Sequence, residues 1–120
     1  MGMEFNHPTG GWEDSMLSYE VVRDGVLVRL TGELDHSAAA RLRGELDGLI
    51  AITGAKRLLL DLSGLDFMDS SGIGLIIGRY KKMARRGGVV AVVAANRRID
   101  RLFDMAGLYQ LVERKTQGRV

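Results

Sequence analysis

Strands and helices alternate along most of this sequence, and that alternation constrains the fold more than any other feature. Residues 57–62 and 89–95 are short apolar runs with the length of buried strands. Between them, residues 70–86 change to helical spacing until Gly87 and Gly88 break the helix. Because a helix that connects two strands of one sheet favours parallel pairing, the pattern predicts an α/β protein with a mostly parallel sheet.

The segments on either side extend the same pattern. The Asp24-Gly25 pair predicts a tight turn between the first two strands, which therefore form an antiparallel edge of the sheet. The predicted elements in chain order are strands at 17–22 and 26–30, a helix at 38–50, a strand at 57–62 with a loop at 63–66, a helix at 70–86, a strand at 89–95, a helix at 97–105 and a strand at 109–112. In the third helix, Leu102, Phe103 and Met105 are expected to pack on the sheet. The order is β-β-α-β-α-β-α-β, a mixed, mostly parallel β-sheet packed by helices.

Length and composition indicate one domain. The chain has 120 residues, of which 46% are hydrophobic, enough for a single modest core. We expect the domain at 16–116, after a flexible leader at 1–15 and before a short C-terminal tail at 117–120. No apolar run approaches the roughly 20 residues that cross a bilayer, and the N-terminus lacks the order of a signal peptide. The sequence therefore predicts a cytoplasmic protein with no membrane partner.

The charges and the absence of cysteine narrow the chemistry. The net charge is +2, but between Arg79 and Arg101 the bases far outnumber the single acid, Asp100. Such a cluster suits an acidic protein partner, or a nucleotide carried by a partner, better than direct binding of nucleic acid. The chain has no Cys, which excludes a disulfide framework, a thiolate metal site and a cysteine nucleophile.

The segment around Asp69 and Ser70 predicts the start of a helix that exposes a serine. Either residue can cap the helix. Helix N-termini carry unpaired N–H groups and a partial positive charge, so a phosphoryl group on Ser70 would be stabilised there. Ser70 is therefore the candidate phosphorylation site.

The same helix is predicted to have an apolar side and a smooth side. At about 100° per residue, the core side consists of Ile73, Ile76, Ile77, Tyr80, Met83 and Ala84. Ser70, Gly74, Gly78, Lys81 and Arg85 fall on the nearly opposite side. Each glycine there costs roughly 0.5–1 kcal/mol of helix stability relative to alanine. Two explanations stay open: the glycines are merely tolerated or covered by a loop of the same chain, or they form a smooth strip against which another protein docks.

Enzymatic functions fit the sequence less well. A hydrolase would need a base near Ser70, whereas the histidines are His7 and His36, and residues 68–72 do not form a Gly-x-Ser-x-Gly elbow. The glycines between residues 72 and 78 also miss the spacing of a dinucleotide-binding or phosphate-binding loop. We expect no catalytic residues, no cofactor and no metal site.

Four sequence blocks, which together span most of residues 16–113, carry a resemblance to a known family. In order they are Leu-Thr-Gly-Glu-Leu-Asp-His at 30–36, Phe-Met-Asp-Ser-Ser-Gly-Ile-Gly at 67–74, Gly-Arg-Tyr-Lys at 78–81 and Arg-Leu-Phe-Asp-Met-Ala-Gly-Leu at 101–108. The chain resembles the STAS-domain anti-sigma-factor antagonists. The block at 78–81 favours the sporulation type over the general-stress type.

The resemblance implies a partner-switching function. The unphosphorylated protein would bind an anti-sigma factor that is also a serine kinase, and would thereby free the sigma factor. The kinase would use ATP to phosphorylate Ser70, which directly follows the motif aspartate, and a PP2C-type serine phosphatase would reverse the reaction. The residues implied to contact the partner are Asp35, Met68, Asp69, Ser71, Gly72, Ile73, Gly74, Gly78 and Arg79. The alternatives are a STAS module of another partner-switching system, such as the general stress response, and a nucleotide-binding STAS module.

Asp35 has two expected roles, which do not exclude each other. From its position before the first helix, it is expected to be an N-cap. The resemblance places it near the phosphorylated serine, where it would help to form the complex with the kinase.

Overall fold

A five-stranded sheet forms the centre of the structure, a computed structural model that describes residues 16–115. The elements are β1 (Leu17–Val22), β2 (Gly25–Leu34), α1 (His36–Thr53), β3 (Arg57–Met68), α2 (Ser70–Arg85), β4 (Val89–Ala95), α3 (Arg97–Ala106), a 3₁₀ helix (Leu108–Gln110) and β5 (Glu113–Arg114). The predicted α/β class and the predicted order of strands and helices are confirmed. The predicted leader at 1–15 and tail at 117–120 lie outside the described residues.

The sheet is mixed, as the sequence predicted. Its strands are hydrogen-bonded in the order β1-β2-β3-β4-β5. β1 runs antiparallel to β2, and the three following pairs are parallel. In the part of the chain that the structure describes, none of the helices is long and apolar enough to cross a membrane.

One face of the sheet carries the main core. Alternate side chains of the central strands, such as Val28, Leu60 and Val92, are buried on this face. Side chains from all three helices join the same cluster, including Leu46 of α1 and Phe103 of α3. A smaller apolar cluster consists of the intervening strand residues Leu27, Leu59, Ala91 and Val93. The period of two along each strand therefore separates the two clusters.

β2 and β3 are longer than the sequence predicted. The loop expected at 63–66 is strand, because β3 continues to Met68 and pairs with β2 as far as Leu34. The pairing shifts register between Arg29 and Thr31 and again between Gly32 and Glu33. These irregularities absorb the glycine-containing segment at 63–66 without ending the strand. Pairing with a neighbouring strand thus overrides the local turn signal.

The last predicted strand, at 109–112, is wrong. This segment contains the 3₁₀ helix, and only Glu113–Arg114 pairs with β4. The amides of Leu111 and Val112 donate hydrogen bonds to the Leu108 carbonyl oxygen at 2.9 and 3.1 Å, as in a helical turn and not a strand. Tyr109 packs edge-on against Phe103 with ring centroids 5.7 Å apart. Burial and the hydrogen bond that its hydroxyl donates to Asp100 raise the pKa of Tyr109.

Packing of α3 on the sheet depends on Phe103, whereas Met105 was wrongly expected to pack beside it. Phe103 is fully buried and Met105 is 77% exposed. We expect Phe103→Ala to lower the free energy of unfolding by about 3–5 kcal/mol, because it leaves a cavity under α3. Met105→Ala, the matched control on the same helix, should change it by less than about 0.5 kcal/mol. Urea denaturation measures both, and equal losses would contradict the observed orientation of α3.

Candidate functional site

The parallel register of β2 and β3 brings the starts of α1 and α2 together. Leu34 and Met68, the last residues of the two strands, lie opposite each other. The Asp69 amide nitrogen is 3.4 Å from the Leu34 carbonyl oxygen. Each helix begins two residues after its strand ends. The first turns of the two helices therefore lie side by side at the carboxyl edge of the sheet.

Both helices begin with an aspartate cap. Asp35 accepts a hydrogen bond from the Ala38 amide at 3.0 Å, and Asp69 accepts one from the Ser71 amide at 2.8 Å. Such a cap contributes about 1 kcal/mol to helix stability relative to alanine. The expected capping role of Asp35 is confirmed. At the start of α2 the cap is Asp69, which leaves the Ser70 hydroxyl free of that role.

The two serines that follow Asp69 have different environments. Ser70 is exposed, and its hydroxyl has no hydrogen-bond partner within residues 16–115. Ser71 is half-buried, and its hydroxyl oxygen lies 3.4 Å from Nδ1 of His36. Ser70 therefore presents an open hydroxyl to a partner, whereas Ser71 faces α1.

His36 is a residue of this site that was not among the predicted site residues. It is the first residue of α1, and it meets Ser71 only because the two helices start together. The distance of 3.4 Å exceeds the usual range of about 2.7–3.2 Å, so the contact is a weak one. Among the residues that the structure describes, no group of His, Asp and Glu side chains is arranged to hold a metal ion.

The glycines of α2 occupy two kinds of environment. At Gly72 a Cβ atom would lie 2.5 Å from Cγ of Met68, so the position has no room for a side chain. At Gly74 and Gly78 a Cβ atom would meet nothing within 4 Å. No described segment of the chain covers these two positions, so the covering-loop explanation is wrong for residues 16–115. Gly74 and Gly78 therefore form an open strip along α2.

α2 turns its buried side further toward α1 than the sequence predicted. Its buried residues are Gly72, Leu75, Ile76, Arg79 and Met83. Ile73, Ile77 and Tyr80, expected in the core, are half-buried, and Ala84 is exposed. The helix packs against α1 as well as against the sheet, and its buried side lies between those two neighbours.

Met68 and Gly72, which were also expected in the contact with a partner, lie beneath the first turn of α2. Both are buried, because the Met68 side chain fills the space beside Gly72 under the first turn of α2. They support the site from below, and their contact with a partner stays a prediction. Asp35, Asp69 and Ile73 are half-buried and remain partly accessible.

A groove with a volume of about 400 Å³ runs between α1 and α2. Gly74 and Gly78 lie along its α2 side, so no side chain projects into the groove from these two positions. The groove reaches Ser71, the residue next to Ser70. Its polar lining residues are His36, Arg43, Ser71 and Arg79.

Arg79 is the buried charge of this groove. Its side chain is 9% exposed, and its Nε lies 3.0 Å from Oδ1 of Asp47 on α1. The N–H bond does not point at the carboxylate, so the contact is an ion pair without an aligned hydrogen bond. Burial lowers the pKa of Arg79, Asp47 opposes this shift and Arg43 adds to it. An arginine keeps its charge at neutral pH even so.

Comparison with known families identifies the fold that carries this site. The model of the STAS domain matches residues 17–119. The chain belongs to the STAS domain family. The adjacent helix starts, the exposed serine and the groove are therefore features of a STAS domain.

Relatives of this STAS domain include anti-sigma factor antagonists. The anti-sigma F factor antagonist of Paenibacillus polymyxa is 42% identical over 90 residues, which cover 75% of this chain and 77% of that protein. The anti-sigma-B factor antagonist of Bacillus subtilis (strain 168) is 34% identical over 97 residues, which cover 79% of this chain and 87% of that protein. The structure of the Bacillus cell fate determinant SpoIIAA in its phosphorylated form matches with a TM-score of 0.65 at 30% identity, covering 83% of this chain and 91% of that one. The resemblance inferred from the sequence is confirmed.

The two kinds of glycine in α2 should respond oppositely to a methyl group. Gly72→Ala is expected to lower the free energy of unfolding by about 1–2 kcal/mol, because the added Cβ overlaps Met68. Gly74→Ala, two residues away in open space, should raise it by about 0.5–1 kcal/mol. Chemical denaturation of both variants tests this, and changes of the same sign would contradict the environments described.

Proposed function

We propose that this STAS domain is an anti-sigma-factor antagonist controlled by phosphorylation of Ser70. In its unphosphorylated form it binds an anti-sigma factor that is also a serine kinase, and so releases the sigma factor. The kinase uses ATP to phosphorylate Ser70, and a PP2C-type serine phosphatase restores the active form. The observation that carries the proposal is the exposed, unpartnered hydroxyl of Ser70, directly before Ser71, which lines an open groove.

The position of Ser70 suits a switch that acts without refolding. A phosphoryl group adds about −1.5 to −2 units of charge at neutral pH. The N-terminus of α2 tolerates this charge within the fold, because its amides and dipole favour an anion. Across an interface, the same charge beside the Asp69 carboxylate repels acidic groups of the partner and is costly to desolvate. Phosphorylation therefore weakens docking while α2 stays formed.

The proposed docking surface follows the start of α1 and the exposed side of α2. Its members are Asp35, Asp69, Ser71, Ile73, Gly74, Gly78 and Arg79, with Ser70 at its head. Gly74 and Gly78 let a partner backbone approach α2 closely, since no side chain in the described part of the chain covers the helix there. Met68 and Gly72 hold the first turn of α2 in place from below.

We propose the sporulation type of antagonist, with the general-stress type as the alternative. The sporulation type is favoured by 42% identity to an anti-sigma F factor antagonist and by the Gly-Arg-Tyr-Lys block at 78–81. The alternative is favoured by 34% identity to an anti-sigma-B factor antagonist. Both act by binding, in the cytoplasm, and we assign the chain no catalytic residue. Affinity capture from the source cell, followed by identification of the sigma factor released, distinguishes them.

Incubation with the cognate kinase and ATP should place one phosphate on Ser70. Ser70 has an exposed, unpartnered hydroxyl, whereas the Ser71 hydroxyl faces His36. Peptide mass spectrometry locates the phosphate. Ser70→Ala should abolish labelling, and Ser71→Ala, the matched control, should retain it. Phosphate on Ser71 of the unaltered protein, or on neither serine, would contradict the proposal.

Filling the open strip should weaken binding without unfolding the protein. Gly74→Leu is expected to lower the affinity for the anti-sigma factor at least about tenfold, because the side chain blocks close approach along α2. The melting temperature should stay unchanged or rise, since the position is open. Gly44→Leu is the matched control: Gly44 is an exposed glycine on α1 that is equally open and lies outside the groove. Undiminished affinity of a folded Gly74→Leu protein would contradict the docking surface.

A further inference from the structure

The guanidinium of Arg79 has unused hydrogen-bonding capacity at a buried position. Its contact with Asp47 is an unaligned ion pair at the Nε edge, and the group makes no other hydrogen bond within residues 16–115. A guanidinium carries five N–H donors in a fixed plane. Nε is the buried unpaired atom, whereas the Nη donors are not fully buried and remain available to a ligand in the groove. A hydrogen bond from such a charged donor to a ligand contributes more than a neutral one. Arg79 lines the groove between α1 and α2, where a ligand could reach it.

The charges that line this groove favour an anion. Arg43 and His36 lie along it with Arg79, and no Asp or Glu of residues 16–115 belongs to its lining. Asp47, the ion-pair partner of Arg79, lies outside the lining and is oriented toward the Nε edge only. The positive field of Arg43 reaches Arg79, since it contributes to the lowered pKa of that group. An acidic group that entered the groove would therefore meet two arginines.

The groove also restricts what can carry the acidic group. Gly78 directly precedes Arg79 and Gly74 lies one turn earlier, and no atom of the described residues covers either position. A polypeptide backbone can lie against these positions and direct a short side chain at Arg79. A planar guanidinium binds a carboxylate through two parallel hydrogen bonds, which a lysine ammonium cannot reproduce.

We propose that Arg79 receives the carboxylate of an Asp or Glu side chain of the anti-sigma factor, and that this contact selects the partner. The inference rests on the proposed function and adds the chemistry of the contact. Arg79 follows Ser70 by nine residues, about 14 Å along the helix axis, which exceeds the Debye length of about 8 Å at physiological salt. The two positions thus act separately: Arg79 binds the partner's carboxylate, and Ser70 carries the phosphate that weakens docking.

The test compares Arg79→Lys with Asp47→Asn in titrations of the purified anti-sigma factor, with melting curves for each protein. Arg79→Lys keeps the charge but loses the planar guanidinium that can bind a carboxylate through two hydrogen bonds. It should lower the affinity for the anti-sigma factor at least about tenfold. Asp47→Asn breaks the same ion pair but keeps the planar guanidinium of Arg79. Its affinity for the anti-sigma factor should stay within about threefold of that of the unaltered protein. If Arg79 only bridged the helices, the two variants would lose affinity alike, and that result would overturn the inference.

A second variant tests the inference independently of whether Arg79→Lys folds. The double variant Asp47→Asn/Arg79→Gln removes both charges of the ion pair and leaves no unpaired charge buried. It should remain folded and lose affinity to a similar extent as Arg79→Lys. Full affinity of the folded double variant would overturn the inference.

A double-mutant cycle identifies the acidic partner residue. Each exposed Asp or Glu of the anti-sigma factor is changed to its amide and titrated against the unaltered protein and Arg79→Lys. One of these changes should lower the affinity for the unaltered protein at least about tenfold. The same change should lower the affinity for Arg79→Lys little further. Equal costs in both backgrounds for every acid would overturn the inference and leave the proposed function intact. If the unaltered protein fails to bind the anti-sigma factor, both are overturned.

Discussion

The parallel pairing of β2 with β3 is the constraint on which the candidate site depends. It places Leu34 opposite Met68, and the two following aspartates then start two helices side by side. A shift of one residue in this register would move every side chain of a strand to the other face and separate the helix starts. The Ser71–His36 contact and the groove between the helices both follow from this single alignment.

Two features of α2 turn that alignment into a surface suited to a switch. Asp69 caps the helix, so Ser70 remains exposed with a free hydroxyl at a helix end that tolerates negative charge. Gly74 and Gly78 leave the adjoining side of α2 without projecting side chains, although alanine at these positions would stabilise an isolated helix more. The helix gives up intrinsic stability where the docking surface is proposed, which is expected of residues retained for function and not for folding.

The fold could be predicted from the sequence wherever the signal is local. The Asp69 cap and the apolar run at 89–95 fixed the start of α2 and both ends of β4. The continuation of β3 through 63–66 could not be predicted, because pairing with β2 overrides a local loop signal there. The same limit applies to the site: Ser70 follows from its position in the chain, whereas the Arg79–Asp47 ion pair joins two helices whose relative rotation no local pattern reports.

Amide hydrogen exchange of the chain, free and bound to the anti-sigma factor, tests the central claim most directly. The partner is proposed to dock on the adjacent starts of α1 and α2 and along the groove between them. Exchange should slow on binding in residues 36–43 and 70–79, and remain unchanged in α3 and β5. Slowing confined to α3, β5 or the β1 edge, with none at the two helix starts, would contradict the account.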